Sequence, residues 1–342
     1  MRLGTQLAYA GEPSKVVDEV VRWEAAGLDV VWVAEAYGFD APTIMGYLAA
    51  RTERVQIGSG ILPIYSRTPA LIAQTAAGLD AVSGGRAVLG LGTSGPQVIE
   101  GWHAVRFDKP VARTREIVEI CRQAWRRERL EHDGIYRIPL PPDQGTGLGK
   151  PLKMLTHPVR DRIPIHIASL GEANVRLTAE VADGWLPFLF VPEQAGEVWG
   201  TSLAEGTAKR SPDLGPLDVV AGGPIAVGDD VTGLRDLARP MLALYIGGMG
   251  ARGRNFYNDL VRRYGYEAEA ATIQDFYLAG RKDEAAAAVP ADLLERSSLI
   301  GPAGYVRERI EAYREAGVTT LNVIPMDPDP VRLIGRVKEW LA

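Results

Sequence analysis

Short apolar or β-branched runs alternate along this chain with longer stretches whose apolar residues recur at helical spacing. The runs predict eight strands, over 3–9, 29–35, 54–62, 86–92, 163–169, 184–189, 217–227 and 319–324. Between the early runs the spacing predicts helices over 13–26, 42–51, 68–82 and 110–125. Each opens on a Pro, Ser, Thr or Asp start signal, and Gly27 stops the first. Strict alternation of strand and helix requires parallel strands joined by right-handed crossovers, because a hairpin cannot join parallel neighbours. Such strands are buried on both faces, which fits the unbroken run Val30-Val31-Trp32-Val33.

Eight repeats favour a closed (β/α)8 TIM barrel over an open doubly wound sheet, an α/β fold in either case. The last unit supports the count. Gly301-Pro302 opens a helix with Val306, Ile310 and Tyr313 on one face, Gly317 stops it, and a strand follows at once. Two insertions interrupt the rhythm, over about 128–161 and 247–289. The first is rich in Pro and Gly; the second holds a glycine cluster, GGMGARG, then a polar helical stretch ending in an alanine run. Loops of this length are lids or binding elements more often than filler, so 247–253 is expected to move near the site. The expectation is a single domain over 1–342 with two insertions.

Composition narrows the function. A net charge of −5 offers no basic field for nucleic acid. One cysteine excludes an internal disulfide framework, no apolar run approaches the ~18–20 residues of a membrane helix, and the first residues lack a signal-peptide layout. The expectation is a cytoplasmic protein with no nucleic-acid or membrane partner.

The mouth of a barrel, at the C-terminal ends of its strands, carries the chemistry. That rule nominates Gln6, Tyr9, Glu35, Tyr37, residues 59–65, Gly92 to Gly95, Ser169 to Gly171, Trp185 to Phe188, and Asn322. The segment Gly90-Leu91-Gly92-Thr93-Ser94-Gly95 satisfies G-x-G-x-x-G. It belongs to the fourth unit, and a helix follows where the ribose-binding acid should be, so a dinucleotide reading fails. A turn facing a planar cofactor and a plain packing turn both stay open. Ser169-Leu170-Gly171-Glu172 opens a helix and suits either a phosphate or an ordinary N-cap. Glu35 suits either a proton relay or a structural pair with an arginine. Gly60-Ile61 hints at a bulge. The histidines and Cys121 show no metal-ligand spacing, so no metal is expected; Cys121 falls on a helix face with Ile117 and Ile120, as a buried small hydrophobe. Lys150 and Lys153 could meet an anionic group or simply sit on a surface loop.

The stretches GLDVVWVAEAYGFDAPTIMGYLAARTERVQIGSGILPIYSRTP, LDAVSGGRAVLGLGTSGPQVIEGW, IPIHIASLGEANVRLTAEVADGWLP and GPAGYVRERIEAYREAGVTTLNVIP together resemble the luciferase-like flavin and deazaflavin oxidoreductases. LGLGTSGPQVIEGW, GLGKPLK and ALYIGGMGARGRNFY resemble most the coenzyme F420-dependent branch. The resemblance implies an oxidoreductase that moves a hydride between F420 and a small organic substrate, usually as a homodimer. It implies a non-prolyl cis peptide at Gly60-Ile61 behind the ring. Gly92, Thr93 and Ser94 would contact the ring or side chain of the cofactor, and Ala168, Ser169, Leu170 and Gly171 would line a phosphate pocket. Glu35 would be the acid near the ring, both cofactor contact and catalytic candidate, and Trp185 a further cofactor contact.

This chain also departs from its relatives. Glu35-Ala36 replaces the Asp-His pair of the sugar-phosphate dehydrogenases, Gly95 stands where they carry a catalytic Glu, and Gln6 replaces the strand-one carboxylate of the methanopterin reductases. Neither substrate carries over. Candidate proton donors are Glu35, Tyr9, Tyr37 and Tyr65. Two other readings remain: a two-component monooxygenase using FMN, and a cofactor-binding protein without turnover.

Overall fold

The computed structural model describes residues 1–7 and 12–342; Tyr9 lies outside them. Eight parallel strands close into a barrel: β1 (Arg2–Leu7), β2 (Val30–Val33), β3 (Gln56–Ser59), β4 (Ala87–Gly92), β5 (Ile165–Ala168), β6 (Gly184–Trp185), β7 (Asp218–Ala221) and β8 (Thr320–Pro325). Closure is made by β8 on β1, with Arg2 opposite Thr320 and Gly4 opposite Asn322. Each of the eight apolar runs supplies one barrel strand. The seventh continues past Gly222-Gly223 as Pro224–Val227 and keeps a single register on β8.

Helices α1 (Pro13–Ala25), α2 (Ala41–Arg51), α3 (Pro69–Val82), α4 (Pro110–Trp125), α5 (Glu172–Val181), α6 (Pro192–Thr207), α7 (Ala303–Glu315) and α8 (Pro330–Leu341) surround the barrel. Their starts are chemically marked. Asp40 accepts from the Thr43 amide at the head of α2 and Thr68 from the Leu71 amide at the head of α3. Gly27 closes α1 at φ 103°, a left-handed conformation that disfavours any side chain.

Alternation along each strand divides the core. Leu3, Val31, Ile57, Leu89, Ile165 and Leu321 point outward and pack against the helices, whereas Val30, Trp32, Val88 and Val220 fill the lumen as a separate small cluster. Cys121 is buried in the outer core, as its helix face predicts, and burial pushes its thiol up.

The first excursion holds a short hairpin, His132–Asp133 with Arg137–Ile138, pinned by Glu116 through the amides of Ile135 and Tyr136, and one 3-10 turn, Pro142–Gln144. The second is longer than the glycine cluster indicates. It leaves the barrel after Val227, passes through Thr232–Ala238 and Arg239–Ala243, and returns at a short strand, Leu299–Gly301, that pairs with Pro224–Val227. The charged stretch Asp229 to Arg239 has no regular apolar face, and the returning strand is only three residues long, so neither stands out in the pattern. Among the described residues no helix is long and apolar enough to cross a membrane.

Candidate active site

Register fixes which side chains face the lumen. Trp32 lies opposite Gln6 on β1 and Gly58 on β3. Its indole lies crosswise in the barrel. A Cβ on Gly58 would meet the six-membered ring at 2.4 Å, and one on Gly4 would stand 3.4 Å from Nε1 at the opposite edge. The His166 ring stands 5.2 Å away at 54°. Glycine at 58 is therefore the condition for this ring to span the barrel.

Below the indole the lumen is charged. Asp218 Oδ2 lies 2.9 Å from His166 Nε2 and 3.8 Å from Arg2 Nη1, while Thr320 donates to Oδ1 at 2.9 Å. Thr319 also donates to Oδ1, and Arg2 donates to Gln56. Burial alone would raise the Asp218 carboxyl, but the contacts with His166 and the two threonines hold it at about 2.

Above the indole, strand three is reshaped. Gly58 pairs with Val88, but Leu62 pairs with Leu91, so strand three spends one more residue than β4 over the same span. That one-residue slip is a bulge. At its centre the Gly60-Ile61 peptide is cis, as the resemblance implies. The Ile61 side chain turns toward β4 and lies 2.8 Å from where a Gly92 Cβ would be; the Ala168 Cβ is 3.5 Å from the same point. Gly60, Ile61, Gly92 and Ala168 thus come together on one wall of the mouth, and any larger side chain at 92 would fill it. Thr93 and Ser94 follow at the top of β4, with Ser94 at φ 55°.

Glu35 sits on the rim but holds a partner. Arg67 donates from Nη1 to Oε1 at 2.5 Å and from Nη2 to Oε2 at 2.8 Å, and Oε2 also accepts from the Ala41 amide at 2.8 Å. Of its two sequence readings, the geometry displays the arginine pair. Tyr65 is likewise committed: its hydroxyl donates to the Asp108 carbonyl at 2.8 Å, and burial pushes it up to about 12. Arg113 closes on Asp108 at 2.7 Å. Tyr37 is 62% exposed, so of the four named proton donors it is the described one with a free face.

The loop after β5 holds its groups differently from the expectation. The Ser169 hydroxyl turns inward to Thr178 Oγ1 at 2.9 Å, so it does not face a ligand. The carbonyls of Ser169 and Leu170 accept from the indoles of Trp185 and Trp199. Gly171 caps α5 without a side chain; its carbonyl accepts from the amides of Asn174 and Val175, while those of Glu172 and Ala173 take no backbone partner among the described residues. Trp185 is not at the mouth. Its neighbour Gly184 faces the lumen against His166, so alternation sends Trp185 outward, where it packs edge-on against Trp199 at 5.2 Å. Lys153 is also elsewhere: the Leu130 amide donates to the Leu152 carbonyl just beyond the C-terminus of α4, at the end facing away from the mouth.

The second excursion reaches the site. Met249 O lies 3.8 Å from where a Gly95 Cβ would be. Gly247 and Gly248 end a π-helical turn, Leu244–Gly248, pressed against Tyr277, so the glycine segment is anchored at its start and open from Ala251 onward. Tyr245 from this turn packs with Phe188 at 4.4 Å and Tyr257 at 4.8 Å.

The family model of luciferase-like monooxygenases matches residues 1–320. The chain belongs to the luciferase-like monooxygenase family. This luciferase-like protein is 41% identical over 339 residues, 97% of either chain, to a Mycobacterium tuberculosis protein whose name places it provisionally among coenzyme F420-dependent oxidoreductases. It is 29% identical over 325 residues to the 5,10-methylenetetrahydromethanopterin reductase of Archaeoglobus fulgidus, covering 92% of this chain and 91% of that one. The F420-dependent tetrahydromethanopterin reductase of Methanopyrus kandleri has the same fold, with a TM-score of 0.79 at 22% identity over 99% of this chain and 97% of the other.

Sequence reasoning missed Arg67, Trp32 and Tyr245. Nothing local marks Arg67, whose partner lies 32 residues away. Trp32 had a readable signal: a large ring at an inward position with glycine at 4, 58 and 60 on the flanking strands.

Proposed function

We propose that this protein binds coenzyme F420 at the C-terminal mouth of its barrel and exchanges a hydride between it and a small organic substrate. The observation that carries the reading is the 41% identity to an F420-named relative over nearly the whole of both chains. The mouth fits a flat tricycle. Ile61 and the cis peptide back one face, Gly92 and Ala168 leave room that larger side chains would take, and the indole of Trp32 closes the lumen beneath. The amides of Leu170, Gly171, Glu172 and Ala173 would take the phosphate of the side chain, and Thr93 and Ser94 would border the ring.

When bound, the deazaflavin supplies a ring carbon that gives or accepts two electrons as hydride. The chain supplies placement, exclusion of water and a rim. Glu35 acts in this reading by fixing Arg67, and with it the loop that follows the bulge. The reading includes a homodimer in the cytoplasm. Exposed Leu140, Leu148, Leu152 and Leu155 offer apolar surface for a second copy, and the buried Cys121 offers no accessible thiol. Sedimentation at micromolar concentration tests the dimer.

Titrating tryptophan fluorescence with F420 and, in parallel, with FMN tests the cofactor. Saturable F420 binding with little FMN response is the expected outcome. Saturation by FMN alone would replace the proposal with a flavin monooxygenase, whose oxygen consumption is then measured.

A further inference from the structure

On the reading that F420 occupies this mouth, we infer that its hydride partner is an uncharged, planar, apolar carbonyl compound held between two aromatic panels on the rim. The first panel comes from the loops after β2 and β4. Tyr37, Phe39 and Trp102 are 62%, 71% and 63% exposed, and the rings of Tyr37 and Trp102 stand 6.4 Å apart at 54°. The second panel is Phe188, Tyr245 and Tyr257, with centroids 4.4 to 5.3 Å apart, carried by the loop after β6 and the second excursion. The excursion that carries the second panel reaches the β4 loop that carries the first, with Met249 O 3.8 Å from where a Gly95 Cβ would be.

Three large aromatic side chains left in water at one edge of a site are costly unless something apolar covers them. Charge argues the same way. Of the arginines held at the mouth, Arg67 is gripped by Glu35 and Arg113 by Asp108, so neither keeps a full fork for an anionic substrate. A cationic substrate needs a free carboxylate, and both oxygens of Glu35 are taken. The Gln6 side chain, facing the lumen opposite Trp32 with Nε2 3.9 Å from where a Gly60 Cβ would be, offers a neutral hydrogen bond instead. In the reductive direction the carbonyl carbon receives the hydride from the reduced deazaflavin. The C=O π pair moves onto oxygen, which takes a proton delivered from solvent, and an alcohol and the oxidised deazaflavin result.

The experiment compares 2-naphthaldehyde, 6-carboxy-2-naphthaldehyde and glucose 6-phosphate, first as ligands of the protein by tryptophan quenching, then in turnover, the two aldehydes as oxidants of the reduced holoenzyme and the sugar phosphate as reductant of the oxidised one. The neutral naphthyl compound is expected to bind and turn over best, with the carboxylate weaker by about tenfold. Trp102→Ala should raise KM for it about tenfold with little change in kcat and none in the F420 Kd. Equal or better binding of the charged compounds, no binding of the neutral one, or an unchanged KM in Trp102→Ala each overturns the inference. Failure to bind F420 sinks the cofactor reading instead, and naphthyl binding to the protein alone still decides the substrate class.

Discussion

Arg67 holds Glu35 with both ends of its guanidinium, and the side chains are only 14% and 6% exposed. A fork of this kind fixes direction as well as distance, and it joins the loop after strand three to the head of α2.

Removing one partner leaves the other charge buried. Glu35→Gln and Arg67→Ala are each expected to cost about 3 kcal/mol, measured by urea denaturation. The double variant should lose less than the sum of the two, because neither charge is stranded. Full additivity would show that the pair is decorative.

Acid should weaken the lumen below Trp32. Asp218 titrates at about 2 in the folded protein against an ordinary value of 3.8, so the unfolded state binds the proton more readily. Its stabilisation is complete above the unfolded value and disappears as pH falls through the folded one. It amounts to about 2 kcal/mol at neutral pH. Denaturation midpoints of wild type and Asp218→Asn are expected to differ at neutral pH and to converge toward pH ~2. A gap that stays constant over that range would refute the assignment.

Space beneath the mouth is rationed by glycine. Gly58→Ala places a methyl 2.4 Å from the Trp32 indole, and the expected cost is about 2 kcal/mol. Trp32→Leu in the same chain should recover part of that loss by removing the ring, even though alone it opens a void. Thermal melts of the three variants decide this, and no recovery in the pair would mean that the clash is relieved elsewhere.

Trypsin reports on the open half of the glycine segment. Arg252 and Arg254 lie beyond the anchored π-helical turn, with Arg252 66% exposed in its side chain. Cleavage there is expected to slow when F420 is present. Equal rates with and without the cofactor would show that the segment does not cover the site.

The barrel was legible because eight apolar runs separated by helical spacing leave few alternatives, and Gly27 and Gly317 punctuate it locally. The site was legible only in part. Gly60, Ile61, Gly92 and Ala168 meet because each ends a strand or a bulge, a position that the βα rhythm defines. Position along the chain nominates Trp185 for the mouth, but parity sends it away, since one residue decides whether a side chain enters the lumen or the helix layer. Glu35 could be placed at the rim but not assigned, since its partner comes from a different loop. The strand Leu299–Gly301 has too few residues to form a pattern and exists through its pairing with Pro224–Val227.

The crosswise indole of Trp32 makes one barrel into two rooms. His166 and Asp218, an acid–base couple of the sort that would tempt a mechanistic role, occupy the lower room, and the cis peptide and the rim occupy the upper. With the ring between them, the couple answers to solvent at the bottom of the barrel, where Arg2 is partly exposed, and not to a ligand at the top. The group that answers to acid and the candidate site therefore lie in separate places, so that either can change in evolution while the other stands still.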